Sequence, residues 1–289
     1  MSVTRDAKDF LISHGCDVTG IAPVDRFPAD KSRRDPRVHY GRTRTVIAFA
    51  MRVPFASATP FPSVSALQFG DFNIEHQLNE AAYLLCRLLE DRGHICAPMP
   101  AGRDVVSFEV LQREPEPKIE MAGSFDLRYA AVMAGLGEIG ANGLLINEEF
   151  GSRIRLCAVL TTALLEPDPA KPWGDGAPEF CRQCGFRCVQ ACPARAIDEN
   201  GRVDHYRCLV IRPEKTDPAV ALPKLERELG GKPLVMAAKQ LSYTVAPPHT
   251  CSTCTTLCPM DRGRRLSPDP FVRESWREED FDAAAPKLT

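Results

Sequence analysis

Eight of the twelve cysteines in this 289-residue chain fall into two blocks, and each block closes with Cys-Pro. The first reads Cys181-Arg-Gln-Cys184-Gly-Phe-Arg-Cys188-Val-Gln-Ala-Cys192-Pro193. The second is split, with Cys208 alone and then Cys251-Ser-Thr-Cys254-Thr-Thr-Leu-Cys258-Pro259. Thiols this dense must converge on partner thiols, on a metal ion or on a cluster, so they dictate how the chain around them folds. A disulfide framework suits small secreted domains. The opening residues, MSVTRDAKDF, contain no apolar stretch of the kind a secretory leader carries. Four-cysteine zinc sites also use Cys-x-x-Cys pairs, but zinc gives no reason for two Cys-Pro closures.

Three closely spaced cysteines, a fourth after a three-residue gap and a proline behind it form the ligand run of bacterial two-cluster ferredoxins. There the fourth cysteine of each run ligates the cluster of the other run. The sequence therefore predicts one [4Fe–4S] centre on Cys181, Cys184, Cys188 and Cys258, and a second on Cys208, Cys251, Cys254 and Cys192. The first run departs from the usual spacing, because three residues rather than two separate Cys184 from Cys188. A longer loop there could tilt one ligand or alter the cluster type. Two adjacent clusters carry single electrons, which leaves open what they feed.

At 44% hydrophobic content the chain can bury a full core and has room for two domains. A net charge of −2 and a pI near 6.3 provide no global basic field for nucleic acid. No apolar run approaches the ~18 residues of a membrane span. Cys16, Cys86, Cys96 and Cys157 lie in or beside apolar segments and read as buried free thiols. Reduced thiols and clusters together predict a cytoplasmic protein with no membrane partner.

Residues 1–166 alternate helix and strand patterns, within a first domain expected at 1–170. Residues 4–14 read as a helix stopped by Gly15, and 17–23 as a strand. Residues 28–44 are charged and irregular. Residues 45–53 read as a buried strand on length and β-branching, and 54–73, with three prolines and Gly70, as a long loop. Ile74, Leu78, Ala81, Leu85 and Leu88 follow helical spacing across 74–92, with Gly93 as the stop. Strands are predicted at 94–98 and 153–162. The proline-rich stretch 166–178 marks a boundary before a cluster domain at 171–270, and 271–289 is a charged tail.

The second informative stretch is Gly135-Leu-Gly137-Glu-Ile-Gly140-Ala-Asn142-Gly143. It fits G-x-G-x-x-G, but a dinucleotide fingerprint follows a strand, and residues 126–133 read as a helix. A helix cap and turns explain one of these glycines. Four within nine residues point instead to backbone lying against a large flat ligand.

AGLGEIGANGLLI, the strand ending AVLTT and the paired Cys-Pro runs together resemble the epoxyqueuosine reductase and reductive dehalogenase superfamily, over roughly residues 37–260. The resemblance implies an α/β (α+β) fold, with a nitroreductase-like domain holding cobalamin and a ferredoxin-like domain whose two [4Fe–4S] clusters reduce the cobalt. It implies that Gly135, Leu136, Gly137, Gly140, Asn142 and Gly143 line the corrinoid site, with backbone amides and carbonyls meeting the corrinoid's amide groups. Epoxyqueuosine reductases usually carry a helical-repeat extension for tRNA. No repeat and no aromatic-basic stripe follow Cys258, so tRNA is expected to be an unlikely partner. The twin-arginine signal of respiratory dehalogenases is also not recognisable, because Arg33-Arg34 has no apolar run behind it.

Reductive removal of a leaving group needs a general acid. Glu120, Asp126, Tyr129 and Glu138 are the candidates, with Tyr40 and His76 behind them. Arg128 and Arg153 are candidates for an anionic group, against ordinary salt bridging. The leading expectation is an oxidoreductase acting on a small organic substrate, reduced by an external flavodoxin or ferredoxin. The alternative is an iron–sulfur electron-transfer or activating protein without a substrate of its own. A flavin in place of cobalamin is a third reading, because the domain fold would be shared.

Overall fold

The computed structural model describes residues 2–54, 64–101, 124–174, 176–192, 195–198, 200–203 and 253–260. Helix α1 (Val3–Ser13) buries Ala7 and Leu11 and ends as expected at Gly15, whose φ is +85°. There the Cys16 amide donates to the Leu11 carbonyl and the Gly15 amide to that of Ile12. This pair of bonds satisfies carbonyls that the last helical turn leaves open. Strands β1 (Val18–Pro23) and β2 (Thr45–Arg52) follow, then helix α2 (Val64–Glu90) and strand β3 (Cys96–Met99). Helix α3 (Leu127–Met133) leads into the short strands β4 (Glu138–Ile139) and β5 (Leu145–Ile146), and then β6 (Ile154–Thr161).

The main sheet is antiparallel, in the order β1-β2-β6-β3. Both of its faces are covered, which is why β2 is buried at every position but the last. On one face Ile47, Phe49 and Met51 of β2 and Val159 of β6 pack against α1 and α2. On the other, Val46, Ala48 and Ala50 meet α3 and the glycine segment. That face carries small residues in register, with Gly20 opposite Ala48 and Ala48 opposite Ala158. A Cβ at Gly20 would lie 2.1 Å from the Ala134 carbonyl oxygen, so this row sets how closely α3 approaches the sheet.

The expected α/β (α+β) class holds, and one boundary moves. Helix α2 begins at Val64, ten residues before the expected start at residue 74. Gly70 inside a helix costs about 1 kcal/mol, which the packing of Leu78, Leu85 and Leu89 offsets. The stretch 166–178 is more than a spacer, because Asp168 is tied to β1 and Lys171 to α3. The cysteine region forms short helices α4 (Glu179–Gln183), α5 (Arg187–Gln190) and α6 (Thr253–Thr256). Among the described residues no helix is long and apolar enough to cross a membrane.

Candidate iron–sulfur site

The glycine segment is a β-hairpin. Glu138 pairs with Ile146 and Ile139 with Leu145, and the Gly140 amide donates to the Leu144 carbonyl at 2.9 Å. Asn142-Gly143 sits in the turn, where φ of Gly143 is +70°. Asn-Gly between apolar pairs is the strongest short-range hairpin signal, and it was present in the sequence.

This folding gives each of the four glycines a packing role. Gly135, with φ +84°, caps α3, and its amide donates to the Val132 carbonyl. A Cβ there would lie 2.3 Å from the Pro169 carbonyl oxygen. At Gly137 it would lie 2.2 Å from that of Ile146, at Gly140 2.8 Å from the Ile146 side chain, and at Gly143 2.8 Å from Val203. Leu136 is buried in the core, and its carbonyl accepts from Asn147 Nδ2 at 2.7 Å. The amides of Gly135, Leu136, Gly140 and Gly143 all donate within the protein. Protein atoms occupy the space that the missing side chains leave, and four of the amides are committed.

The tip of the hairpin meets the cysteines. Cys181, Cys184, Cys188 and Cys258 line one pocket of about 300 Å³, part of it open to solvent. Ala141, Asn142 and Ile146 form its hairpin wall, with Phe180, Arg187 and Leu257 around the rest. The Ala141 amide donates to Cys181 Sγ at 3.4 Å, and the Asn142 side chain reaches the Cys254 carbonyl at 3.5 Å. Ser152 also donates to the Thr255 carbonyl, at 3.3 Å. Both cysteine runs thus rest on one hairpin and its neighbouring loop. The long gap between Cys184 and Cys188 is taken up by two consecutive left-handed residues, Gly185 (φ 69°) and Phe186 (φ 54°). Cys188 still reaches the pocket.

Burial pushes the Cys188 thiol up to about 11, and the facing Cys181, Cys184 and Cys258 add to that shift. Burial also raises Cys181, partly opposed by the Ala141 amide. Two buried thiols whose ionisation is hindered are suited to a bound cation, because coordination deprotonates a thiol outright. Among the described residues no three His, Cys, Asp or Glu converge on a single ion position. The four cysteines surround a volume instead. Cys192 and Cys254 lie nearby, and Cys192 Sγ accepts from the Ala196 amide at 3.3 Å. Cys208 and Cys251 lie outside the described residues.

The proton-donor candidates are scattered. Asp126 is buried as the N-cap of α3, accepts from the Tyr129 amide at 3.1 Å and pairs with Arg34 at 3.4 Å. Tyr129 donates from its hydroxyl to the Arg26 carbonyl and packs edge-on against Phe27 and Trp173. Burial raises its pKa. The Arg34 guanidinium lies over both Tyr129 and Trp173, at 5.0 and 4.7 Å. These contacts give Asp126 and Tyr129 structural work. Glu138 is half-buried on β4, where its charge bears on both Cys181 and Lys171. His76 is exposed on α2, Tyr40 packs on the second core face, and Glu120 lies outside the described residues. The two arginines bond backbone carbonyls, Arg128 that of Gly143 at 2.6 Å and Arg153 that of Val53. Burial lowers the pKa of Arg128. Ala141 was missed by sequence reasoning, since an alanine that acts through its amide leaves no side-chain signature.

No family model matches the chain. It is 34% identical over 274 residues to the epoxyqueuosine reductase of Gloeobacter violaceus, covering 92% of this chain and 73% of that protein. It is 35% identical over 158 residues to a tetrachloroethene reductive dehalogenase of Desulfitobacterium hafniense, covering 54% of this chain. The match spans only 24% of that longer protein. A crystal structure of epoxyqueuosine reductase with an epoxyqueuosine-modified stem loop of tyrosine tRNA shares the fold, with a TM-score of 0.56 and 16% identity. It covers 93% of this chain and 68% of that one. The chain belongs to the epoxyqueuosine reductase and reductive dehalogenase superfamily of oxidoreductases. The expectation that tRNA is an unlikely partner is corrected by the same comparisons. A relative 34% identical over 92% of this chain is an epoxyqueuosine reductase, and an epoxyqueuosine reductase of the same fold is solved with a tRNA stem loop.

Proposed function

We propose that this chain is a two-cluster iron–sulfur reductase that delivers electrons to a cobalamin and reduces an electrophilic carbon of its substrate. The observation that carries the iron–sulfur part is the pocket shared by Cys181, Cys184, Cys188 and Cys258. Thiols that surround a volume suit a multi-iron cluster. Cys192, Cys208, Cys251 and Cys254 are assigned to the second cluster, and an external flavodoxin or ferredoxin is assigned as donor. The buried, unbridged thiols of Cys16, Cys86 and Cys157, outside the cysteine runs, suit a cytoplasmic protein.

Cobalamin is supported by family membership, and when bound it supplies the reductive chemistry at carbon. The committed glycines do not add to that support. The chain's own contribution is a buried thiol set, a hairpin that fixes it and a half-buried acid, Glu138, which we assign as proton donor. Asp126 and Tyr129 are held by capping and packing. The first substrate to test is an epoxide carried on a tRNA stem loop, ahead of small organohalides.

The experiment is anaerobic purification with iron and sulfide analysis, cobalamin uptake followed by its visible spectrum, and turnover of an epoxyqueuosine stem loop. Two clusters, bound cobalamin and loss of the epoxide are expected, with Glu138→Gln slowing turnover. Protein that holds both clusters and takes up no cobalamin would sink this reading.

A further inference from the structure

The hairpin tip does more than wall the cysteine pocket. Ala141 is fully buried, and its amide points at Cys181 Sγ from 3.4 Å. The two residues are 40 positions apart, and the donor comes from the sheet-bearing part of the chain. The tip is held firmly. Gly140 and Gly143 close the turn, Arg128 donates to the Gly143 carbonyl at 2.6 Å, and the Asn142 Oδ1 accepts from the Leu144 amide at 3.2 Å. Ala141 therefore cannot turn its amide away from the sulfur without opening the hairpin.

An N–H directed at a ligand sulfur lowers the energy of the more negative, reduced cluster, and hydrogen bonds to sulfur are among the factors that set cluster potential. Resting on the cluster assignment proposed above, we propose that the Ala141 amide is a tuning group. It raises the reduction potential of the cluster on Cys181, Cys184, Cys188 and Cys258, and so makes that cluster the preferred electron holder beside the first domain. The same bond links redox state to docking, since reduction strengthens the contact between hairpin and cysteine region. Ala141 is a positioning residue here and touches no substrate. Ala196 makes the equivalent bond to Cys192, at 3.3 Å, but from within the cysteine region itself.

The test uses the full chain with both clusters reconstituted anaerobically, and each cluster's midpoint is read by EPR redox titration. Ala141→Pro removes the N–H, and Ala141→Gly retains it. The expected result is that Ala141→Pro lowers one midpoint and leaves the other in place. The oxidised-to-reduced ratio at the native midpoint rises up to about tenfold, which for one electron is ~59 mV. Ala141→Gly is expected to stay at the native value.

Should Ala141→Pro fail to fold, a second readout decides. In protein labelled with ¹⁵N-alanine, the cluster assigned to Cys181 shows a nitrogen coupling by pulsed EPR that Ala141→Gly abolishes without moving the potential, while the coupling from Ala196 at the other cluster stays. Clusters present in the native protein with no such coupling, or midpoints unchanged in a folded Ala141→Pro, would overturn the proposal. A native protein that assembles no cluster refutes the cluster assignment, and this proposal falls with it.

Discussion

Asp168 and Ile21 hold each other twice across 147 residues. The Ile21 amide donates to the Asp168 carboxylate at 2.9 Å, and the Asp168 amide donates to the Ile21 carbonyl at 2.9 Å. Lys8 adds a 2.7 Å ion pair to the same carboxylate, and Arg26 donates to the Asp168 carbonyl at 2.6 Å. The strand at the edge of the main sheet is therefore closed by the stretch that leads to the cysteines.

Asp168→Ala leaves the Ile21 amide without its side-chain acceptor, a cost of about 1–3 kcal/mol. The Lys8 pair is partly exposed and adds about 1 kcal/mol at most. Thermal unfolding is expected to shift down by several degrees, with Asp168→Asn, which keeps an acceptor, losing less. Equal stability of Asp168→Ala and the native protein would contradict the strap.

Gly137→Ala tests whether the glycine segment serves packing or a ligand. A Cβ there meets the Ile146 carbonyl, which is held in the β4–β5 ladder and cannot swing aside. Overpacking of this kind costs about 1–3 kcal/mol. The loss is expected in protein free of any cofactor, measured by chemical denaturation. A variant of native stability that fails only in cofactor uptake would restore the ligand reading.

Much of the sheet was legible because both of its faces are covered. The run 45–53 is apolar almost throughout, and β2 proved to be Thr45–Arg52. Gly15 and Gly93 marked the ends of α1 and α2 by local chemistry alone. The start of α2 was hidden because Pro54, Pro60, Pro62 and Gly70 carry loop signals, yet the helix includes Gly70. The packing of the glycine segment was hidden for a related reason. Which atom faces a missing Cβ depends on Pro169, Ile146 and Val203, and none of these is identifiable from local pattern. The cysteine spacing foretold which four thiols share a pocket, yet it carried no trace of the Ala141 amide.

Cys16 and Cys157 make stability fall in alkali. Burial pushes both thiols from their ordinary value near 9 up to about 12, with Asp17 adding to the effect at Cys16. Above pH 9 the unfolded chain releases these protons while the folded chain keeps them, so the unfolded state binds fewer protons. The stabilisation is complete below pH 9 and is lost as pH climbs toward 12, at about 1.4 kcal/mol per pH unit for each thiol. Unfolding free energies at pH 8 to 11 are expected to fall less steeply in Cys157→Ala than in the native protein. The comparison cancels the lysines and tyrosines common to both. Parallel slopes would show that Cys157 keeps an ordinary pKa.

The cross-ligation of the two runs gives the sharpest test of the site. Cys258 belongs to the second run in sequence but lines the pocket of Cys181, Cys184 and Cys188. Cys258→Ala and Cys188→Ala are therefore expected to lose the same cluster, leaving roughly half the iron and one EPR signal. Cys254→Ala is expected to remove the other cluster, and the signals surviving in Cys188→Ala and Cys254→Ala should sum to the native spectrum. The hairpin contacts Cys181 through the Ala141 amide and the Cys254 carbonyl through the Asn142 side chain, one cysteine of each proposed cluster. Loss of either cluster should loosen the hairpin, seen as faster amide exchange across residues 138–146. If Cys258→Ala instead leaves the same spectrum as Cys254→Ala, each run holds its own cluster and the shared pocket is not a ligand set.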